Sequence, residues 1–273
     1  MTGDCHGNFT RFKNYDKTLQ KDPEAAVIIL GDAGLNWSLN EQDSHMKNFL
    51  KKRYQFRIYC VRGNHEARPQ DVPEMELIYD EDVKGEVYVQ KQWSNIRYFK
   101  DWGIYTFGRF TAAVIGGAYS VDKWYRLSNN LAWFDNEQLT EEEMLQCTVD
   151  LTNQKVDFVL THTVPICWEP TDLFLNSINQ STVDKTMELF LEEVGQCFDW
   201  RIWCFGHYHT DRLERPYVEQ FYRDTENIED LWERWHNYYH NNELNWWLDK
   251  SPNFYQETLH LESILQYDQK EDV

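Results

Sequence analysis

Four short apolar runs, each giving way within three residues to a side chain able to hold a metal, constrain this sequence more than anything else in it. Ala26-Val27-Ile28-Ile29-Leu30 runs into Gly31-Asp32, and Arg57-Ile58-Tyr59-Cys60-Val61 runs into Arg62-Gly63-Asn64-His65. Val156-Asp157-Phe158-Val159-Leu160 runs into Thr161-His162, and Arg201-Ile202-Trp203-Cys204-Phe205 into Gly206-His207. Apolar runs of about five residues read as buried strands. In open α/β sheets the binding crevice lies at the carboxyl ends of the strands. Four strands that each end in a donor therefore describe one rim around one site, in an α/β fold.

Between these strands, Ser44 to Arg53 and Thr182 to Phe198 have apolar residues at helical spacing, and Thr140-Glu141-Glu142-Glu143 resembles a capping box. From Gly103 to Gly117 the pattern predicts two strands of a second sheet, joined near Gly108-Arg109. Only Met1-Thr2 precede Gly3-Asp4, where a full strand is expected. Either that strand is short or the chain begins inside a longer sequence. Residues 1–223 read as one domain and 224–273 as an acidic, Trp-rich helical extension. Leu231, Trp232, Trp235, Tyr238 and Tyr239 fall at helical spacing, which predicts an amphipathic helix packed on the domain. A lid or a surface for a protein partner is the sharper alternative.

The formal net charge is −19. An acidic surface repels long nucleic acids, whose binding rests on Lys and Arg neutralising phosphates, so a nuclease is disfavoured. A small anionic substrate is still compatible, because bound divalent cations reverse the local potential; solubility alone also explains the charge. None of the six cysteines stands in CxxC spacing, so a structural zinc site has no support. No secretion signal is evident and no apolar run approaches the roughly 20 residues that span a bilayer. Free thiols, a cytoplasmic setting and no membrane association are the expectation.

The candidate metal donors are Asp4 and His6 in Gly3-Asp4-Cys5-His6-Gly7-Asn8, Asp32, Asn64, His162, and the pair His207 and His209 in Gly206-His207-Tyr208-His209. In extended chain, residues i and i+2 point the same way. Asp4 with His6, and His207 with His209, can then each face one cleft. Neighbouring glycines allow sharp turns and close approach of backbone to an anion. Carboxylate, imidazole and amide oxygen suit manganese, iron or zinc. Singly, each piece has a plainer explanation: Asp32 as a turn residue or N-cap, Asn64 as a turn residue, His162 as a satisfied core histidine. Five motifs in order at the ends of successive strands are hard to produce by chance.

The ordered set GDCHG, GD, GNHE, THT and GHYH resembles the calcineurin-like metallophosphoesterase superfamily over about residues 1 to 216. The resemblance implies a four-layer α/β/β/α sandwich of two mixed sheets, with a dinuclear metal site at the strand ends. It implies one ion on Asp4, His6, Asp32 and His209, and another on Asp32, Asn64, His162 and His207, with Asp32 shared. His65 would stand outside the metal shell. Two divalent ions, manganese first and iron or zinc as alternatives, would generate a bridging hydroxide that attacks phosphorus in line. His65 would donate a proton toward the leaving oxygen, a step worth roughly 10²–10⁴ in rate.

Other residues are weaker candidates. Arg62 is a candidate phosphate clamp or a salt-bridge partner, and Asn8 a candidate substrate contact. Glu66 is expected to orient a neighbour. Tyr119, Asp122 and Arg126 lie in a stretch, Gly116 to Asp122 and just beyond, that reads either as a structural turn or as a cleft loop. The residues expected to shape the pocket are 66 to 100 and 119 to 135. Protein Ser/Thr phosphatases of the superfamily continue the second motif with Asp-Arg-Gly; here Ala33-Gly34-Leu35 follows Gly31-Asp32. The expectation is a hydrolase acting on a small or exposed phosphate mono- or diester, with nucleotides among the candidate substrates. Protein phosphatase-like activity and a non-catalytic metal-binding scaffold that meets a partner through its C-terminal extension are the alternatives.

Overall fold

A computed structural model describes residues 1–15, 17–215 and 217–241. The chain divides into two compact units, Met1–Ile228 and Glu229–Val273. Thr225 bridges to Thr2, and Glu226 N–H donates to the Met1 carbonyl at 3.0 Å, so that stretch is tied to the N-terminus.

The first unit holds two mixed sheets. One has the order β1-β2-β5-β4-β3, from β1 (Ala26–Ile29), β2 (Arg57–Cys60), β3 (Met75–Asp80), β4 (Gly85–Gln90) and β5 (Ile96–Phe99). β1, β2 and β5 are parallel, while β4 and β3 return antiparallel. The other has the order β10-β11-β9-β8-β7-β6. Its strands are β6 (Trp102–Phe107), β7 (Phe110–Ile115), β8 (Phe158–Thr161), β9 (Ile202–Phe205), β10 (Arg212–Arg215) and β11 (Val218–Gln220). β7, β8, β9 and β11 are parallel. Every residue of β8 and β9 is buried, which explains why both read as unbroken apolar runs. Tyr105 of β6 links the sheets by donating to the Glu86 carbonyl at 2.8 Å.

Helices α1 (Glu41–Arg53), α2 (Lys123–Ser128), α3 (Glu141–Leu151) and α4 (Thr186–Val194) connect the strands. α1 begins ahead of the expected Ser44 because the Asn40 side chain caps Gln42 N–H at 2.8 Å. The capping box of α3 is present, with Thr140 Oγ1 accepting from Glu143 N–H and Glu143 Oε2 accepting from Thr140 N–H. α4 is shorter than its pattern suggested. Asp184 Oδ1 accepts from Thr186 N–H at 2.9 Å and starts the helix there, and Gln180–Thr182 forms a separate 3₁₀ turn. β6 and β7 form the expected antiparallel pair, with Gly108 at φ 60° between them. The expectation that 66 to 100 shapes a pocket is corrected: it supplies β3, β4 and β5.

Thr2 pairs in parallel with Ile29, and Leu30 N–H donates to the Thr2 carbonyl at 3.0 Å. A single bridge residue thus does what a full first strand was expected to do. All of α5 (Ile228–Asn241) but its first residue belongs to the second unit; it is acidic in its first turn at Glu229 and Asp230, which suits the positive end of a helix dipole. Trp235 lies against Trp232 and Tyr239, at ring separations of 5.0 and 5.5 Å. The expected continuation of this helix to 250 lies outside the described residues.

Candidate metal centre

The predicted donors follow strand ends of both sheets. Asp32 follows β1, Asn64 and His65 follow β2, His162 follows β8, and His207 and His209 follow β9. Asp4 and His6 follow the Thr2 bridge. Convergence has a different local cause from the one expected. His6, Asp32, His207 and His209 have φ of 45°, 48°, 70° and 54°. They are left-handed, not extended, so strand alternation does not aim them. Non-glycine residues in this region are strained, and such residues cluster at functional sites. The glycines make the sharp turns expected of them, with φ of 75° at Gly7 and 90° at Gly31, and they have a second use. A Cβ on Gly31 would stand 2.0 Å from His162 Nδ1, and one on Gly206 2.5 Å from Asp4 Oδ1. They make room for the donors themselves.

Three overlapping groups have all their donor atoms within 4.8 Å of one another: Asp4 with His6 and His209, Asp4 with Asp32 and His162, and His6 with Asp32 and His65. Asp4, Asp32 and His162 are fully buried. Asn64 Oδ1 joins through His162 Nε2 at 2.9 Å, and His162 Nε2 lies 3.5 Å from Asp32 Oδ2. His207 is adjacent, with its ring edge-on to His162 at 4.9 Å and its N–H donating to Asp4 Oδ1 at 2.9 Å, but it enters none of the three groups. His65, expected outside the shell, comes close to His6 and Asp32.

These residues fit divalent cations. Asp4 Oδ2 is buried with no hydrogen-bond partner, although His209 Nε2 lies 3.2 Å away and His6 Nε2 3.7 Å. The Nε2 atoms of His6 and His209 approach to 2.9 Å, as two ligands of a common ion do. Among protein groups alone, burial pushes the Asp32 carboxyl up, but the charge of His162, helped by His65, outweighs this and holds it well below the usual range. Burial lowers the proton affinity of His162, yet Asp32 and Asp4 raise its pKa to about 9. The two buried carboxylates thus draw positive charge to this point, where a cation would displace a proton.

A supporting layer holds the donors. Asn64 Nδ2 donates to Ser120 Oγ at 2.9 Å, and Ser120 Oγ donates to Glu137 Oε2 at 2.5 Å; this fixes the amide so that its oxygen faces His162. His65 N–H donates to Asp32 Oδ1 at 2.8 Å. His162 Nδ1 is 2.8 Å from the Leu30 carbonyl, which orients the ring so that Nε2 faces the carboxylates. Glu66 accepts from Gly34 N–H, Leu35 N–H and the Tyr98 hydroxyl, consistent with the orienting role expected of it. Burial and the Asp32 charge push its pKa to about 7.

His65 stacks on Trp37 with ring centroids 4.9 Å apart, and its Nε2 lies 3.9 Å from Asp122 Oδ1. The Arg126 guanidinium lies over Trp37 at 4.7 Å and donates to Asp122 at 3.0 Å. Burial lowers the His65 pKa to about 4, against the charges of Asp32 and Asp122. Tyr119 and Asp122 line the cavity beside the donors, so the stretch around them is a cleft loop as well as a turn.

Arg62 is a correction. Its guanidinium is buried, donating to Asp101 at 2.5 Å and to the Glu137 carbonyl at 2.6 Å. It holds β2 against the segments after β5 and α2 and does not line the cavity. Asn8 is exposed, and its Oδ1 accepts from Thr10 N–H and the Thr10 hydroxyl. Trp37, Ser120 and Glu137 were missed from the sequence. None stands in a motif that names its role, though Ser120 lies in the stretch that was singled out.

The Calcineurin-like phosphoesterase family model matches residues 1–211. No curated protein matches the chain. A solved structure of a Staphylococcus aureus protein provisionally named a 5'-nucleotidase, in complex with alpha-ketoglutarate, is 15% identical with a TM-score of 0.35. That likeness covers 82% of this chain and 44% of the other, so this chain spans less than half of that protein's length. With the family model matched over more than three quarters of the chain and the donors gathered at the strand ends, the chain belongs to the calcineurin-like phosphoesterase family.

Proposed function

We propose that this chain hydrolyses a phosphate ester using two divalent cations, one on Asp4, His6, Asp32 and His209 and one on Asp32, Asn64, His162 and His207. Metal-dependent phosphoester hydrolysis is the activity of the family. The finer reading rests on one observation: two fully buried carboxylates, Asp4 and Asp32, share a small volume with imidazoles from three separate strand ends. Such a concentration of unscreened negative charge is costly without cations. When bound, two such ions supply hydroxide at neutral pH and offset charge on the phosphoryl oxygens. Mixed carboxylate, amide and imidazole donors favour manganese, with iron or zinc as alternatives.

The chain's own groups supply the rest. Asp32 uses Oδ1 to accept from His65 N–H, which leaves Oδ2 toward His162 and His6. His65 is the general acid. Trp37 fixes its ring plane, and Asp122 faces its Nε2. An anionic ester beside this ring favours its protonated form, opposing the burial that lowers its pKa. Its proton then passes to the leaving oxygen. Cys5, Cys60, Cys147, Cys167 and Cys197, held as thiols, support a reducing, cytoplasmic setting, and no described helix is long and apolar enough to cross a membrane.

The deciding assay uses purified protein with added manganese on generic phosphate mono- and diesters, with and without chelator. Chelator-sensitive release of phosphate or alcohol is expected. Metal binding without turnover on any ester would favour the scaffold reading.

A further inference from the structure

A cavity of about 360 Å³ opens directly off the metal centre, with Asp32, Asn64, His65, His207 and His209 at one end. That is the low end of the usual range for small-molecule sites. Its lining also carries apolar side chains, among them Leu173, Phe174, Ile178 and Val183, all half-buried. Phe174 stacks on Tyr208 at 6.2 Å between ring centroids, so the wall leans on the same turn that presents His207 and His209.

Charge on the lining is as informative as shape. Among the described residues, Lys185 is the one Lys or Arg in it. Its Nζ is bound to Glu169 Oε1 at 2.6 Å and lies 4.8 Å from the Phe174 ring centroid. Asp122 and Glu188 also face the cavity, and Glu188 Oε2 is buried without a partner. A second anionic group placed here would meet carboxylates and a lysine already neutralised. An uncharged hydrocarbon would meet side chains that lose water contact on its arrival.

We infer that this cavity holds the alcohol part of the ester and selects an apolar, uncharged one, aromatic or alkyl, over alcohols that bear further anionic groups. This rests on the phosphoesterase reading. In the reaction the P–O bond to the apolar alcohol breaks and a P–O bond to the oxygen of water forms. One proton of that water ends on the departing alcohol, giving ROH and inorganic phosphate. Leu173, Phe174 and Ile178 are the specificity-determining residues.

The test uses alkyl esters of matched leaving-group basicity on the manganese-loaded full chain: methyl phosphate, hexyl phosphate and 6-(phosphonooxy)hexanoate. Hexyl phosphate should exceed each of the others in kcat/KM by about tenfold or more, the scale on which apolar pockets discriminate. Ile178→Asp and Phe174→Asp should each collapse the hexyl-to-methyl ratio, and Phe174→Leu should keep most of it; thermal melts check that each variant is folded. Equal kcat/KM for all three esters overturns the inference while leaving the phosphoesterase reading intact. A parallel calorimetric titration with hexylphosphonate and methylphosphonate separates the remaining cases. Tighter hexylphosphonate binding without turnover of any ester keeps the pocket and removes the hydrolase; equal binding of the two phosphonates removes the pocket.

Discussion

The rim of donors and the apolar wall facing it are built on opposite terms. The rim stands on buried parallel strands, and four of its residues take left-handed backbone angles. The wall hangs on short 3₁₀ turns, Thr171–Leu173 and Gln180–Thr182, with half-buried side chains. Chemistry that tolerates little displacement sits on the sheet ends. Discrimination among alcohols, which needs only apolar area, sits on loops. The lesson is that strain and specificity are kept apart in this molecule, so each should fail separately when its own residues are changed.

The largest effect should come from the shared carboxylate. Asp32→Ala should lower kcat/KM by about four orders of magnitude, since ion-assisted charge stabilisation is worth several kcal/mol, and metal analysis should show the protein under-loaded. Near-normal turnover at full metal loading would remove the rim from the mechanism. Next, His65→Ala should keep its metal and lose about 10³ in turnover; an unchanged rate would hand the proton to another group or to water.

The third test reads stability at the wall. Burial raises the Glu188 pKa from 4.5 to about 7. A raised carboxyl favours the folded state only while it is protonated there. The stability that this group contributes should therefore be fullest below about pH 4.5 and be lost as pH rises through about 7. The loss should be on the order of 3 kcal/mol. Glu188→Gln should flatten that slope in urea melts taken across the range. If the slope persists unchanged in the variant, another group is responsible. The smallest effect is expected one layer behind the rim. Ser120→Ala removes the acceptor for Asn64 Nδ2 and should weaken manganese affinity by about 10–100-fold. Affinity within a factor of two of wild type would show that Asn64 is held by other means.

Much of the rim was legible because its chemistry demands residue types. Asp4, Asp32 and Asn64 announce themselves by following glycines, His162 by closing an apolar run, and His6 by standing two residues after Asp4. The reason they converge was not legible. Extended alternation was the natural expectation for Asp-x-His and His-x-His, whereas a left-handed turn at His6, His207 and His209 does the aiming. Arg62 misled for a related reason: an arginine beside Gly63-Asn64-His65 suggests an anion, but burial and Asp101 claim its guanidinium. The wall had no motif at all, because Leu173, Phe174 and Ile178 matter only by where the 171–183 segment is laid.

The sequence by itself determined an α/β fold whose strands end in a rim of metal donors, since buried strands require continuous apolar runs and cations require these few donors. Tertiary structure alone decided which side chains stand behind the donors and what faces them across the cleft. Ser120 meets Asn64, Trp37 meets His65, and Phe174 meets Tyr208 only because distant segments are packed together. Packing of that kind depends on shape and burial, and neither has a period or a spacing along the chain.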